Sequence, residues 1–526
     1  MSARRLPAAG SDRRRWLVSF AVLSALMGGW AVASPLFSSP DEPAHVAKAA
    51  GAARGQFLGR PVRGDPLLRT FRAPAVFATG HAVPDCYKFK PDVGAACAPA
   101  FGGLRRTGDV VTHVGNYPPL YYTLVGLPTL VAPSAAGVYL MRLVSVALSA
   151  AFLAWALVCA ARWRSPILLA GVAAATTPMV LYFGASVNPN SLEMSTAICL
   201  WVSGLMLLVP AEAERRAKGE DDVGDDGHDE HEPTRVGQID TMLVAAAGLS
   251  AAVLVSMRTL SPLLLGLIGL FLLGLTSRRR LADLVGRRDV RMWLAVGAVA
   301  AAIAVVWLIV HDTIQLPRVD EFRDLPATTA ARNSLGKTDG DIRQMVGVFG
   351  WLDTPSPALT FYLWFFATGT LIVFGLVAAS RRLLMGLLAV IAATVVVPRL
   401  LEFPSVQKYG FGWQGRYGLP LAVGVPLLAA FAVGSRPEML GAWSAKVTRV
   451  VIALLGVAHV AVFVVVLRRY MVGVNGPLDF LDGPWQPPVA PIVLLVGFSL
   501  AVVAWAWWLG RLAASRPASV VVASGP

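Results

Sequence analysis

The sequence predicts an all-α polytopic membrane protein, and three observations support this fold class. The chain of 526 residues is 56% hydrophobic and only 15% charged, with a mean hydropathy of +0.60, which is too apolar for a soluble protein of several domains. Many stretches reach the roughly 20 apolar residues that a helix needs to cross a bilayer. Most arginines fall in short segments between these stretches, so the net charge of +14 indicates membrane topology and no nucleic acid partner.

The apolar runs, placed so that arginine-rich segments face the cytoplasm, predict about twelve transmembrane helices in the plasma membrane, with both termini cytoplasmic. The predicted spans are 16–37, 136–161, 166–185, 191–210, 240–257, 261–276, 292–310, 359–379, 383–397, 417–434, 448–467 and 490–510. The first run is too long for the apolar region of a signal peptide, so we predict an uncleaved helix. Arg468 and Arg469 are exceptions, because this topology places them outside.

The loops divide into two long extracytoplasmic segments, 38–135 and 311–358, and one acidic cytoplasmic segment, 211–239, which we predict to be disordered. Within the first loop, residues 117–133 are short, rich in Tyr at one end and interrupted by Pro128, so we expect interfacial helices there. Residues 435–526 contribute further helices to the same membrane domain.

Two of the four cysteines, Cys86 and Cys97, lie in the first long loop, where an extracytoplasmic location permits a disulfide between them. Their spacing alone does not show that the two sulfurs meet. Cys159 and Cys199 fall in apolar runs and are expected to be packing residues.

Adjacent carboxylates, Asp41 and Glu42, directly follow the first predicted helix and are flanked by prolines. Acidic side chains at the hydrocarbon edge are costly and are often functional. A partly dry cavity raises the basicity of a carboxylate, as a general base requires. The alternative is a structural role, in which the pair caps the N-terminus of an interfacial helix. Nucleotide-loop, redox-dithiol and zincin motifs do not occur in the sequence.

Several motifs on the predicted outer side resemble a family of predicted bacterial membrane proteins with no assigned function. These motifs are Pro40-Asp41-Glu42-Pro43 with His45, Asn188-Pro189-Asn190, and Gln414-Gly415-Arg416-Tyr417. The wider architecture is similar to the GT-C superfamily of polyprenyl-phosphate-sugar-dependent glycosyltransferases, in which the first outer loop starts with an acidic catalytic base. That loop continues with a Pro-Pro-Leu element and an arginine at the start of the second span, which here match Pro118-Pro119-Leu120 and Arg142. The GT-C-like module would comprise residues 1–434.

The GT-C resemblance implies inverting transfer of a sugar from a polyprenyl-phosphate donor to a cell-envelope glycan or lipid-linked acceptor. Asp41 is the expected base, while Glu42 would orient the acceptor or help hold a divalent cation such as Mg or Mn. Arg416, and after it Arg142, would bind the departing lipid phosphate, because guanidinium groups pair with phosphates in two-bond contacts. The further candidate substrate-binding residues are Gln414, Tyr417, His45, His113, Asn188 and Asn190.

Structural alternatives stay open for these residues. Each histidine is also compatible with a loop position bonded to backbone, Arg416 with an interfacial anchor, and Asn188 and Asn190 with a turn and helix cap. A transporter or flippase for a lipid-linked precursor is the alternative function, although transporters usually carry internal repeats and ionisable residues in mid-span. A non-catalytic scaffold for envelope assembly would leave the acidic pair, Asp41 and Glu42, without a partner charge.

Overall fold

The computed structural model describes residues 9–103, 105–209, 240–313 and 318–514, so the predicted loop 211–239 lies outside the described residues. In that part of the chain the helices are α1 (Ala9–Ala33), α2 (Glu42–Ala52), α3 (Leu120–Gly126), α4 (Ala135–Arg162), α5 (Ile167–Ala175), α6 (Pro178–Gly184), α7 (Asn190–Leu208), α8 (Thr241–Val255), α9 (Ser261–Gly274), α10 (Arg278–Gly286), α11 (Arg288–Val310), α12 (Ala327–Gly336), α13 (Thr338–Gly347), α14 (Ala358–Ala378), α15 (Arg381–Glu402), α16 (Val406–Tyr409), α17 (Gly415–Ala422), α18 (Gly424–Ser435), α19 (Ser444–Val472) and α20 (Pro491–Ala514).

Nine helices within the described ranges are long and apolar enough to cross a membrane, or up to eleven if each of two bent pairs counts as one span. The remaining predicted ranges hold the α5–α6 pair, bent by 60°, and the short helices α8 and α9. The bend at Thr177 has a local cause. The Thr177 hydroxyl accepts a hydrogen bond from the Val180 N–H and caps α6, while Pro178 supplies its first residue.

The first long loop contains the short helices α2 and α3 and, in addition, an antiparallel sheet that the all-α prediction did not include. Its strands are β1 (Arg60–Val62), β2 (Asp65–Pro74) and β3 (Thr107–Thr112), in the order β1-β2-β3. Phe71 and Ala73 on β2 are fully buried, and β2 packs on α2. A disulfide joins Cys86 to Cys97 in the segment between β2 and β3. The sheet therefore braces the helix that begins beside Asp41.

The second long loop contains α12, α13 and a hairpin of β4 (Val348–Phe349) and β5 (Thr354–Pro355). It packs against the chain that follows α1, since the Trp351 indole donates to the Phe37 carbonyl at 3.2 Å. It also contacts α17, because the Gly415 N–H donates to the Gln344 side chain at 2.7 Å. The two loops thus meet at one end of the helix bundle, which we call the site end.

The opposite end of the bundle is joined by different polar contacts. Arg162 at the end of α4 forms ion pairs with Asp12 near the start of α1 and Asp240 before α8. Ser165 hydrogen-bonds to Ser444 at the start of α19. Residues that the sequence placed on one side of the membrane therefore lie together at one end of the bundle.

The arginines that disagreed with the predicted charge pattern have structural partners. Arg469 is fully buried at the site end and donates to the carbonyls of Tyr87 and Val93, at 2.9 Å each, and to the Asp353 carboxylate at 3.0 Å. Arg468 donates to carbonyls of the turn that follows α19. Both arginines hold loop backbone in place, which accounts for their position at this end.

Candidate functional site

The Asp41 carboxylate points at Arg416 and does not cap a helix. Asp41 occupies the N-cap position of α2 with a left-handed backbone (φ 62°), and its side chain forms no capping hydrogen bond. Instead, Arg416 donates from Nη2 to Asp41 Oδ2 at 2.6 Å. A non-glycine residue in this conformation carries backbone strain of about 1–3 kcal/mol, and such strain clusters at functional sites. The capping alternative therefore does not describe what this carboxylate contacts.

Arg416, in the first turn of α17, is only 3% exposed. Its Nη2 also donates to the Tyr417 hydroxyl at 3.3 Å. Among the described residues, Nε and Nη1 have no hydrogen-bond partner. Because a buried donor without a partner costs about 1–3 kcal/mol, these two groups give Arg416 the capacity to bind an anion in addition to Asp41.

A second guanidinium, that of Arg258 between α8 and α9, approaches the same ring. The Cζ atoms of Arg258 and Arg416 lie 4.7 Å and 5.1 Å from the centre of the Tyr417 ring. Glu193, buried in the first turn of α7, pairs with Arg258 at 3.5 Å. Nε and Nη1 of Arg258 also have no hydrogen-bond partner within the described ranges. Arg258 was not among the residues predicted for the site, although a lone arginine between two apolar runs indicates a functional position.

Glu42 points away from Asp41 and is fully buried against Arg142. Arg142 donates from Nε to Glu42 Oε1 at 2.8 Å and from Nη2 to Oε2 at 2.6 Å. The backbone N–H groups of Phe37 and Val187 donate to the same carboxylate at 2.9 Å and 3.0 Å. Each Glu42 oxygen accepts two hydrogen bonds, which favours a structural role for this residue; its roles as a catalytic residue, acceptor ligand or cation ligand stay predictions.

Arg142 is likewise saturated. Beyond Glu42, it donates to the carbonyls of Ala31, Ser34 and Pro35 at 2.8 Å each, so that five contacts match its five N–H groups. These contacts leave Arg142 less able than Arg416 to bind a phosphate, and its role as a phosphate ligand stays a prediction. The Glu42–Arg142 pair instead fixes the turn that carries Asp41 out of α1.

A comparison with protein families matches residues 25–220 and 234–425 to the family described as "Predicted membrane protein (DUF2142)". The chain belongs to this family. The matched ranges include Asp41, Arg258 and Arg416. Neither the curated proteins nor the solved structures contain a match to the chain.

In this family member, His45 and His113 lie on either side of the Asp41 carboxylate. The buried His45 ring shares a hydrogen bond of 2.8 Å between Nδ1 and the Tyr122 hydroxyl. Burial holds the pKa of His45 well below its usual range, despite the opposing effect of Asp41. His113 is about half exposed, and its Nε2 lies 3.9 Å from Asp41 Oδ1. Each ring therefore approaches a side chain, in contrast to the structural alternative in which it bonds only to backbone.

The remaining predicted residues line or support the site. Asn188 donates from Nδ2 to the Pro40 carbonyl at 3.2 Å and accepts the Asn190 N–H at 3.1 Å, so it forms the predicted turn and ties that turn to Asp41. Within the described residues, the Asn190 amide nitrogen and the Gln414 amide oxygen are buried without a partner. Tyr417 contacts both guanidinium groups.

The acidity of Asp41 differs from what its position suggested. Burial raises the pKa of Asp41, but the charges of Arg416, His45 and His113 and the hydrogen bond from Arg416 outweigh it, so that the pKa is lowered to about 2. The prediction of raised basicity is wrong for the site as it stands.

The donor set does not fit a divalent cation. No group of three or more His, Cys, Asp or Glu residues that could hold a metal occurs among the described residues. Of the acidic pair considered for this role, Glu42 is saturated by N–H donors and Asp41 faces a guanidinium. Mg²⁺ and Mn²⁺ prefer several oxygen ligands, whereas this site offers two cationic side chains.

Proposed function

We propose that the protein is a GT-C-like membrane glycosyltransferase with about twelve membrane crossings. It transfers a sugar from a polyprenyl-phosphate donor to a cell-envelope glycan or lipid-linked acceptor on the extracytoplasmic side of the plasma membrane. One observation carries the proposal: Asp41 and Arg416, 375 residues apart, meet at 2.6 Å. The arginine keeps two N–H groups without partners among the described residues. A carboxylate base and a phosphate ligand are the two groups that such a transfer requires.

The reaction is a single displacement with inversion. The acceptor hydroxyl oxygen attacks the anomeric carbon of the donor sugar, and the bond from that carbon to the lipid phosphate oxygen breaks. The hydroxyl proton passes to Asp41, while the electron pair leaves with the lipid phosphate. Asp41, whose side chain is 32% exposed, is accessible to the acceptor.

Phosphate binding and base strength are coupled through Arg416. A donor phosphate that takes the free Nε and Nη1 groups of Arg416 competes with Asp41 for the same positive charge. Loss of that partner raises the pKa of Asp41, since each unit corresponds to about 1.4 kcal/mol of interaction. Asp41 therefore gains basicity only when the donor is bound, and Arg258 adds a second positive charge beside the leaving phosphate.

The location of charge within the bundle favours transfer over transport. A transporter usually binds substrate near the bilayer midplane, between discontinuous helices. The buried ionisable pair Glu193–Arg258 lies instead at the site end, because Glu193 is in the first turn of α7 and Arg258 follows α8. Asp41 and Arg416 lie at the same end.

A transfer assay with purified protein in proteoliposomes tests the proposal. A panel of polyprenyl-phosphate sugars is offered together with envelope glycan and lipid-linked acceptors, and the glycosylated product is followed by mass spectrometry. We expect product with the wild type and none with Arg416→Gln, while Arg343→Gln, an exposed change elsewhere in the second loop, retains activity. Equal product from Arg416→Gln and the wild type would contradict the assignment of the phosphate ligand.

A further inference from the structure

An apolar cleft of about 290 Å³ lies between α14 and α15. The two helices are consecutive in the chain and stand on either side of it, and α17 and α18 contribute further lining. Its lining includes Trp364, Gly369, Ile391, Val395, Leu419 and Val425. The outward faces of α14 and α15 beside it carry exposed apolar side chains such as Phe366 and Val396. The cleft therefore joins the interior of the bundle to the surface that faces lipid.

Two elements connect this cleft to the candidate site. Leu419 and Ala422, which line the cleft, follow Arg416 by three and six residues on α17, or about 4.5 Å and 9 Å at the rise of an α-helix. On the second element, α6, the Phe183 ring lies 5.3 Å from the Arg416 Cζ, and Thr177 at its start lines the cleft. The cleft thus begins about one helical turn along α17 from Arg416.

The combination of these features selects an amphiphilic anion. A free phosphate would use the guanidinium groups but not the cleft, and a neutral lipid would use the cleft but leave the buried donors unpaired. We propose that the cleft holds the hydrocarbon chain of a single-chain lipid phosphate whose phosphate lies on Arg416. This inference rests on the proposed function, from which it takes the role of Arg416, and adds the route by which the lipid chain leaves the site.

The cleft gives the lipid chain a path to the bilayer and adds little hydrophobic binding affinity. A hydrocarbon chain gains little on moving from lipid into an apolar protein surface, because both surroundings exclude water. An open path is nevertheless required, and the gap between α14 and α15 supplies one for a chain attached to a phosphate on Arg416. A bulky side chain in the path would therefore exclude long-chain phosphates and leave the phosphate site itself intact.

Photolabelling locates the chain directly. The probe is a polyprenyl phosphate with a diazirine on its chain, added to the full-length protein in nanodiscs, and labelled peptides are mapped by mass spectrometry. We expect labels on the cleft-lining residues Gly369, Val395 and Leu419, and a loss of these labels in Arg416→Gln. A diacyl phosphatidylcholine carrying the same diazirine is expected to label outward residues such as Val396. Equal labelling of the cleft by both probes would mean that it holds bulk lipid only, and would overturn the proposal.

A matched pair of adjacent valines on α15 gives the second test. Val395 lines the cleft, whereas Val396 is 47% exposed on the lipid-facing side. Val395→Trp should lower labelling by the long-chain probe about tenfold or more, and Val396→Trp should not. Gly369→Leu should act as Val395→Trp does, and the Cβ that it adds meets no atom within 4 Å.

Failure of this inference is distinguishable from failure of the proposed function. If wild-type protein transfers sugar but the long-chain probe labels residues elsewhere, the chain takes another route and the function stands. If labelling of the cleft does not depend on Arg416, the assignment of Arg416 as the phosphate ligand is wrong, and both the inference and the proposed function lose that residue. A short-chain, water-soluble alkyl phosphate serves as the headgroup control, because it should bind the wild type and Val395→Trp with equal affinity.

Discussion

Neutralising Glu42 should lower the free energy of unfolding more than the same change at the adjacent Asp41. Glu42→Gln keeps the size of the side chain but removes the charge that faces Arg142 in a fully buried site. The guanidinium would then remain charged, with three carbonyls and a neutral amide around it. The amide NH₂ of the new glutamine would also face N–H groups that donate to Glu42 in the wild type and would then lack an acceptor.

The size of the effect follows from the contacts that are lost. Two charge-assisted hydrogen bonds join Glu42 to Arg142, and hydrogen bonds to charged groups contribute about 1.5–3 kcal/mol each. Breaking one partner of a buried ion pair costs about 3–5 kcal/mol, which agrees with that sum. Asp41→Asn, by contrast, alters a partly exposed pair, and the lowering of the pKa of Asp41 from 3.8 to about 2 limits the expected change in the free energy of unfolding to about 2 kcal/mol.

Unfolding of purified protein by SDS titration in mixed micelles measures this difference. The double variant Glu42→Gln with Arg142→Met should lose less stability than the sum of the two single changes, by about 1–3 kcal/mol, because it leaves no buried charge unpaired. If Glu42→Gln unfolds at the wild-type SDS fraction while transfer is abolished, Glu42 is a catalytic residue and the structural assignment is refuted.

Three further outcomes are expected. Because the pKa of Asp41 is about 2, below its ordinary 3.8, the stability from its ion pair should be constant between about pH 5 and 8 and be lost as pH falls from about 4 towards 2, which unfolding measured against pH would show. Arg258→Gln should raise the donor KM roughly tenfold to a hundredfold through the loss of a charged phosphate contact, as steady-state kinetics would detect. Arg469→Met, which leaves the buried Asp353 unpaired, should destabilise the protein by about 3–5 kcal/mol in the SDS titration, whereas Arg468→Met, a change at a more exposed arginine, should cost less.

The membrane-spanning helices were largely predictable because the length of an apolar run is enough to identify them. The sequence also placed residues 117–133 outside the set of spans, and the structure has the short helix α3 there. The bend between α5 and α6 was not predicted, since it depends on how Thr177 and Pro178 end one helix and begin the next. The sheet of the first loop was missed because short, partly exposed strands leave little apolar periodicity.

The sequence predicted that the candidate site residues lie on one side of the membrane, but it did not predict which side chains contact one another. Parity of the spans brought Asp41 and Arg416 to one side, and their side chains meet. The same reasoning could not separate Asp41 from Glu42, because the left-handed backbone at Asp41 sends neighbouring carboxylates to different arginines. Arg258 reaches the site only through the closure of the α8–α9 hairpin, which charge counting does not reveal.

The initial rate of sugar transfer by Asp41→Asn, compared with the wild type at equal amounts of folded protein, tests the central claim most directly. Loss of a general base lowers such rates by about 10²- to 10⁴-fold, and we expect a fall in that range. The donor KM should not rise, since Arg416 loses the carboxylate that competes with the phosphate. A rate within a few-fold of the wild type would contradict the assignment of Asp41 as the base.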